Sequence, residues 1–264
     1  MTWMTSTGQQ VSPTVRDAAP PAGSLDRAAA LLDSFDETHR ELTLAALVRR
    51  SGLPRSTVHR TAERMTRLGW LDKPADRYRV GTRIFEISGL VPVRHELREA
   101  VLPFMQDLYA ATGITVQLGV LHGAQVLVVE KITGHRAMPM LSQVGGMVPA
   151  HCSSLGRAIL AYSGAEAVQA VIDAGLQPRT SRSVTSEVAL RRELAAVPGR
   201  GFAAEREEGN IGVSCIAAPI FDQYGSVAAA VSITGPVGTV RPERMGAAVR
   251  LAAAAASRAY SRRI

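Results

Sequence analysis

The sequence predicts a two-domain protein of mixed α+β or α/β class. A winged helix-turn-helix is expected over residues 24–88, a helical linker over 89–112 and a larger domain of strands flanked by helices over 113–264. Three observations carry this. Residues 52–71 read GLPRSTVHRTAERMTRLGWL, in which Val58, Ala62, Met65 and Leu68 recur at helical spacing and leave a polar, cationic opposite face. Charge is concentrated there too: Arg49 to Arg83 holds ten Lys or Arg against three Asp or Glu, a net +7 that equals the net +7 of the whole chain. Beyond Gly113 the helical pattern gives way to short β-like runs between helical segments.

Taken in order, residues 1–23 are rich in Thr, Ser, Gln, Pro and Gly without apolar periodicity and read as a disordered tail. Ser24 is the expected cap of a helix to about Phe35, with Leu25, Ala28, Leu32 and Phe35 on one side. Thr43 is the expected cap of a second, burying Leu44, Leu47 and Val48. A turn at Ser51-Gly52-Leu53 leads into a third helix, with Pro54 in its first turn, where a missing N–H is harmless. Trp70-Leu71, a polar tip at Asp72 to Asp76 and Arg77 to Val80 alternate as a small hairpin. Three helices and a hairpin, with a short turn between the second and third helices, make the winged motif.

Val91 to Ala111 reads as helical, begun by Pro92 and interrupted by Pro103. Ile114 to Val120 and Val126 to Ile132 read as strands around a turn at His122-Gly123-Ala124. A further strand is expected from Ala137 to Val144, closed by Gly145-Gly146. Ser153 to Tyr162, Ala165 to Ala174 and Ser186 to Ala196 read as helices. Phe202 to Arg206, Cys215 to Phe221 and Val227 to Thr234 read as strands, the last two joined by Asp222-Gln223-Tyr224-Gly225. Pro242 opens an Ala-rich closing helix.

With 264 residues, 46% hydrophobic and 20% charged, the chain has an ordinary globular composition and length enough for a real core. No basic region followed by an apolar run stands at the start, and Leu251 to Ala256 is far too short to span a bilayer. Two cysteines, Cys152 and Cys215, make no disulfide framework, so a cytoplasmic setting without membrane association is expected. Catalysis finds little support. There is no nucleophile elbow, P-loop or dinucleotide fingerprint. His151 beside Cys152 or Cys215 is the nucleophile–base pairing that a hydrolase would need. The histidines and cysteines lack metal-ligand spacing, so neither metal nor cofactor is expected.

A basic segment on an otherwise neutral chain suits a polyanion, whereas a merely solvated charged helix is the plain alternative. In a helix-turn-helix the first turns of the second helix reach base edges in the major groove. Arg55, Ser56, Thr57, His59, Arg60 and Arg64 are the expected contacts on that helix. Arg77 and Arg79 on the wing are expected to reach the DNA backbone or minor groove, where they position rather than specify. Double-stranded DNA is therefore the expected partner. An architectural DNA-binding protein is one alternative, a hydrolase using Cys215 a second.

Several stretches together resemble the IclR family of bacterial transcriptional regulators. LDRAAALLDSF, ELTLAALVRRSGLPRSTVHRTAERMTRLGWL and YRVGTRIFEIS are similar to its winged helix-turn-helix. LREAVLPFMQDLYAATGITVQLGVLHGAQVLVVEKI, VGGMVPAHCSSLGRAILA, GVSCIAAPIFDQYGSVAAAVSITGP and the closing PERM helix are similar to its effector-binding domain. The resemblance runs in order from about Ser24 to the C-terminus. It implies a homodimer or dimer of dimers on a near-palindromic operator. It also implies a GAF-like C-terminal domain that binds a small metabolite, commonly an organic acid. Carried over residue by residue, the pocket falls on Ser153, Ser154, Leu155 and Gly156, on Glu205, on Cys215, and on Ser232 with Thr234. Arg157 stands where the family usually has Lys, Thr234 where Ser is common, and Glu205 where a shorter Asp is often found.

The same residues make chemical sense on their own. N–H groups opening a helix at Ser153 to Gly156 suit a carboxylate. Ser232 and Thr234, two apart on a strand, point to one face. Met138 and Met140 share a face and are expected to line an apolar part, with plain core packing as the alternative. An acid at Glu205 favours ligands that also donate a hydroxyl proton.

Overall fold

A computed structural model describes residues 23–36, 38–134 and 142–262. The chain forms two compact units that divide after Leu90. In the first, α1 (Ser24–Leu32), β1 (Leu42–Thr43), α2 (Leu44–Ser51), α3 (Arg55–Arg67), β2 (Leu71–Asp72), β3 (Arg77–Val80) and α4 (Thr82–Ser88) follow one another.

Gly23, not Ser24, caps α1, and its N–H donates to Asp26 Oδ2 at 2.9 Å. The helix stops at Leu32, short of Phe35, because the Ser34 and Phe35 N–H groups fold back onto the Leu31 and Leu32 carbonyls. Thr43 caps α2 as expected, its Oγ1 accepting the Ala46 N–H at 3.2 Å. Gly52 ends α2 in the left-handed region at φ 68°, where only glycine sits without strain. Pro54 is the N-cap of α3 and not its first turn, with its carbonyl accepting from Thr57 and Val58. Ala28, Leu31, Leu42, Leu47, Leu53, Val58, Ala62, Met65, Leu71 and Tyr78 form the core. Leu68 leaves the expected apolar stripe and is 56% exposed, because α3 ends there and the chain turns at Gly69.

The wing is a three-stranded sheet in the order β1-β3-β2. Period-two alternation buries Tyr78 and turns Arg77 and Arg79 outward. Sequence alone gave no sign of β1, because two residues cannot display an alternation. It gave none of α4 either, which buries no residue.

The second unit contains α5 (Pro92–Thr112), β4 (Thr115–His122), β5 (Gln125–Ile132), β6 (Met147–Pro149), α6 (Ser154–Leu160), α7 (Ala165–Asp173), α8 (Glu187–Arg200), β7 (Ala203–Arg206), β8 (Val213–Phe221), β9 (Val227–Pro236) and α9 (Pro242–Tyr260). Pro103 does not interrupt α5. It lies on the exposed side of the helix, away from the core. Leu97, Val101, Met105 and Leu108 anchor the turns on either side. The strand expected at 137–144 is not formed by Ser142 to Val144, and residues 137–141 lie outside the described residues. The strand comes later, as β6, after the turn at Gly145-Gly146.

Every neighbouring pair in the six-stranded sheet, β6-β5-β4-β9-β8-β7, is antiparallel, which makes the unit α+β. Alternation divides the sheet between two cores. Val116, Leu118, Ile216, Ala218, Val231 and Ile233 face α5 and α9. Val126, Ala203, Ala217 and Ala230 face α6, α7 and α8. The polar residues described next share that second face.

Candidate nucleic-acid interface and candidate effector site

On α3 the buried residues Val58, Ala62 and Met65 hold one side against the core, which forces Arg55, Ser56, His59, Arg60 and Arg64 into solvent. Thr57 is half-buried at the margin. The charges are unequally free. His59 Nε2 lies 3.4 Å from Glu63 Oε1 one turn on, and Arg79 Nε lies 3.4 Å from Asp72 Oδ2 across the wing. Arg50, which belongs to the same basic segment, is used internally: it donates to the Ser34 carbonyl and pairs with Asp36. Burial opposes ionisation of Asp36, yet hydrogen bonds from Thr38 and His39 and the Arg50 charge hold its carboxyl well below the usual range. Among the sequence-predicted contacts Arg55, Arg60, Arg64 and Arg77 have no ion-pair partner among the described residues.

In the second unit, strand register builds a polar floor. Glu205 on β7 lies opposite Cys215 on β8, Cys215 opposite Thr234 on β9, and Thr234 opposite Thr115 on β4. Two residues along, Ser232 lies opposite Gln117, and Gln117 opposite Lys131 on β5. Because the side-chain period is two, both rows face the α6 side. Glu205, Ser232, Thr234, Thr115 and Gln117 are all buried, as is Ser154 at the start of α6. Thr234 Oγ1 donates to Gln117 Oε1 at 3.2 Å, and Gln117 Nε2 donates to Ser142 Oγ at 2.6 Å. The Cys215 thiol hydrogen-bonds with Glu205, Thr234 and Ser154. Ser232 Oγ, in the middle of the floor, has no hydrogen-bond partner among the described residues.

The remaining sequence-predicted pocket residues divide by role. Ser153 is the cap of α6, its Oγ accepting the Gly156 N–H at 3.1 Å. Leu155 packs into the α6–α8 core. Gly156 is required by space: a Cβ there would lie 2.3 Å from the Ala150 carbonyl oxygen. With only seven residues, α6 has a small dipole to offer, so the floor hydroxyls carry more of the site than the helix opening does. Met138 and Met140 lie outside the described residues.

Electrostatically, burial in the site disfavours charge on its groups. Burial pushes the Glu205 carboxyl up, and the hydrogen bonds from Cys215, Glu208 and Gly209 offset that only in part. Burial, then the Glu205 charge, pushes the Cys215 thiol well up. Burial takes Cys152 up to about 12. Burial lowers His151, whose Nε2 meets the Gln177 carbonyl at 3.1 Å, a contact that acts in the opposite direction. Thiols held neutral in this way are poor nucleophiles, which tells against a hydrolytic role for Cys215 or Cys152. No three His, Cys, Asp or Glu side chains come together as metal ligands among the described residues.

Sequence reasoning missed Thr115, Gln117 and Glu208. Polar residues at alternate positions in the apolar ITVQLGV were the available signal for the first two. Glu208 meets the buried Arg157, whose Nη1 donates to Oε1 at 2.9 Å and Nη2 to Oε2, while Nε donates to the His151 carbonyl at 2.9 Å. Residues so far apart in sequence leave no local trace of this pairing.

Comparison with known proteins agrees with both halves. The family profile described as bacterial transcriptional regulator IclR C-terminal matches residues 90–262, and the IclR helix-turn-helix domain matches residues 24–75. The chain is 30% identical over 253 residues to the transcriptional repressor IclR of Escherichia coli strain K12, covering 92% of each. It is 33% identical over 243 residues to the glycerol operon regulatory protein of Streptomyces coelicolor, covering 89% of this chain and 95% of that one. Among solved structures it is similar to an IclR homolog from Microbacterium hydrocarbonoxydans complexed with 4-hydroxybenzoate. The TM-score is 0.82 at 30% identity, with 92% of this chain and all of that one covered.

Proposed function

The chain belongs to the IclR family of bacterial transcriptional regulators, and from that premise we propose that a small organic acid, bound on the polar floor beneath α6, sets its affinity for an operator. The observation that carries this is Ser232 Oγ. A buried hydroxyl left unpaired costs about 1–3 kcal/mol, and a ligand that pairs with it recovers that energy. Around it stand Ser154, Thr234 and Cys215 for a carboxylate or hydroxyl, with the Glu205 carboxyl at the end of the row. The similarity to a homolog holding 4-hydroxybenzoate supports a hydroxylated or phenolic acid.

On the DNA side, Arg55, Ser56 and Arg60 read bases in the major groove, and Arg64, Arg77 and Arg79 hold phosphates. The operator is near-palindromic because the regulator is at least a homodimer. The apolar surface of α4 supports this: Phe85 is 74% exposed and Leu90 beyond it 81%, and a second copy would cover them. Among the described residues no helix is long and apolar enough to cross a membrane. An operator partner places the protein in the cytoplasm. If the acid prefers one arrangement of the dimer, it shifts operator affinity by the same coupling energy, about 1–3 kcal/mol. Relatives named as repressors make release from DNA the expected sign.

The test is sequencing of sheared genomic DNA captured by the purified chain, with and without added acids. Recovery of a few fragments sharing an inverted repeat, and their loss on adding an acid, is expected. Uniform recovery that no acid changes would sink the proposal.

A further inference from the structure

Glu205 and Glu208 stand three residues apart and are treated in opposite ways. Glu208 has a cation, since Arg157 holds it with both Nη atoms. Glu205 has no ion-pair partner among the described residues, although it is only 5% exposed. Its Oε2 accepts the Glu208 N–H at 3.0 Å, and the Cys215 thiol hydrogen-bonds to it. The groups that surround it can be followed element by element. From α6 comes Arg157, spent on Glu208. The turn before α6 supplies His151 and Cys152, with the His151 ring against the Gln177 carbonyl. The segment before α8 supplies Arg179, which acts on Cys152, and Arg182, which pairs with Glu207. From β8 comes Cys215, while the facing positions of β9 and β4 are Thr234, Ser232, Thr115 and Gln117. Lys131 donates to the Ser142 carbonyl and stands on β5, four strands from β7, which is roughly 19 Å at ordinary strand spacing.

We propose that a carboxylate effector enters this site together with a proton, which comes to rest on Glu205, so that the site selects monocarboxylic over dicarboxylic acids. This rests on the effector reading above. Two carboxylates cannot both stay ionised in a buried site without a cation, and here the adjacent guanidinium is already neutralised by Glu208. With Glu205 protonated, its O–H donates to the incoming carboxylate, and the repulsion becomes a short charge-assisted hydrogen bond. A second carboxylate beside Glu205 would bring a charge that no neighbouring group can answer, since the cation of the floor, Lys131, stands four strands away. Since binding takes up a proton, affinity must fall as pH rises.

Calorimetry of the full chain with 4-hydroxybenzoate, in two buffers of different ionisation heat at several pH values from about 6 to 8, tests this. The expected result is net proton uptake, with affinity falling by up to about tenfold per pH unit. Glu205→Gln should abolish the uptake and flatten the pH profile. Terephthalate, which carries a second carboxylate in place of the hydroxyl, should bind at least tenfold more weakly than 4-hydroxybenzoate. Binding without proton uptake, or equal affinity for the two acids, overturns the proposal and leaves the effector reading standing. If no acid of a broad carboxylate panel binds or stabilises the chain at any of these pH values, the effector reading fails and takes the proposal with it. Should Glu205→Gln not fold, the buffer dependence of the wild-type heat alone decides the matter.

Discussion

The outer face of α3 and the floor beneath α6 are both polar, but they are polar in opposite ways. On α3, Arg55, Arg60 and Arg64 stand charged in solvent at no desolvation cost, held out by the packing of Val58, Ala62 and Met65 behind them. On the floor, Ser232, Thr234, Gln117 and Glu205 are buried, and burial favours the neutral form of the one acid among them. A polyanion rewards permanent exposed charge, because each neutralised phosphate releases counterions. A small ligand must displace whatever already satisfies a buried group, so a site for it works best with neutral donors and acceptors, one of them left open. The two surfaces therefore ought to respond differently to mutation, to salt and to pH.

The largest effect should come from the charge pair beside the floor, Arg157 with Glu208. Arg157→Ala strips Glu208 of its cation and the His151 carbonyl of its donor. Removing one partner of a buried pair costs about 3–5 kcal/mol. The melting transition of the second unit should fall sharply and effector binding with it, while the winged unit keeps its helical signal. A variant as stable as wild type would show that the pair holds nothing together.

Next in size is Arg55→Ala, which tests the exposed side alone. It should cost about 1–3 kcal/mol at the cognate base and relax discrimination between operator and scrambled DNA, with no change in thermal stability. Anisotropy titrations on the two DNAs read this directly. Unchanged discrimination would take α3 out of the major groove.

Ser232→Ala carries the comparison to the interior in the reverse direction. Removing an unpaired buried hydroxyl should stabilise the ligand-free chain, by about 1 kcal/mol, while weakening effector binding by roughly tenfold. Stability up and function down is the signature expected of a group kept for a ligand. A loss of stability would mean that Ser232 is already satisfied.

The same contrast explains what could be read from the chain before folding. The winged unit was legible because its signals are local: a helical period of apolar residues, a Thr43 cap, Gly52 in a left-handed turn and alternation around Tyr78. Its errors were at ends, as with Gly23 for Ser24 and the outward turn of Leu68. The floor was legible only in part. Ser232 and Thr234 announce a shared face by their spacing, but nothing in sequence says that Thr234 lies opposite Cys215 and Cys215 opposite Glu205. Register is set by pairing across the sheet, and the Arg157–Glu208 bond depends on a fold already formed. The parallel or antiparallel character of the sheet was hidden for the same reason.

The smallest expected effect is also the cleanest separation of positioning from reading. Arg79 is exposed on the wing but already lies near Asp72, at 3.4 Å, so part of its charge is answered before DNA arrives. Arg79→Ala should weaken binding to all sequences alike, by about threefold, and lower the slope of log affinity against log salt by at most about one. Asp72→Asn supplies the opposite sign, because it frees Arg79 and should tighten binding to every DNA by a similar factor. If Arg79→Ala instead changes the ratio between operator and scrambled DNA, the wing reads sequence, and the division of labour between α3 and the wing has to be redrawn.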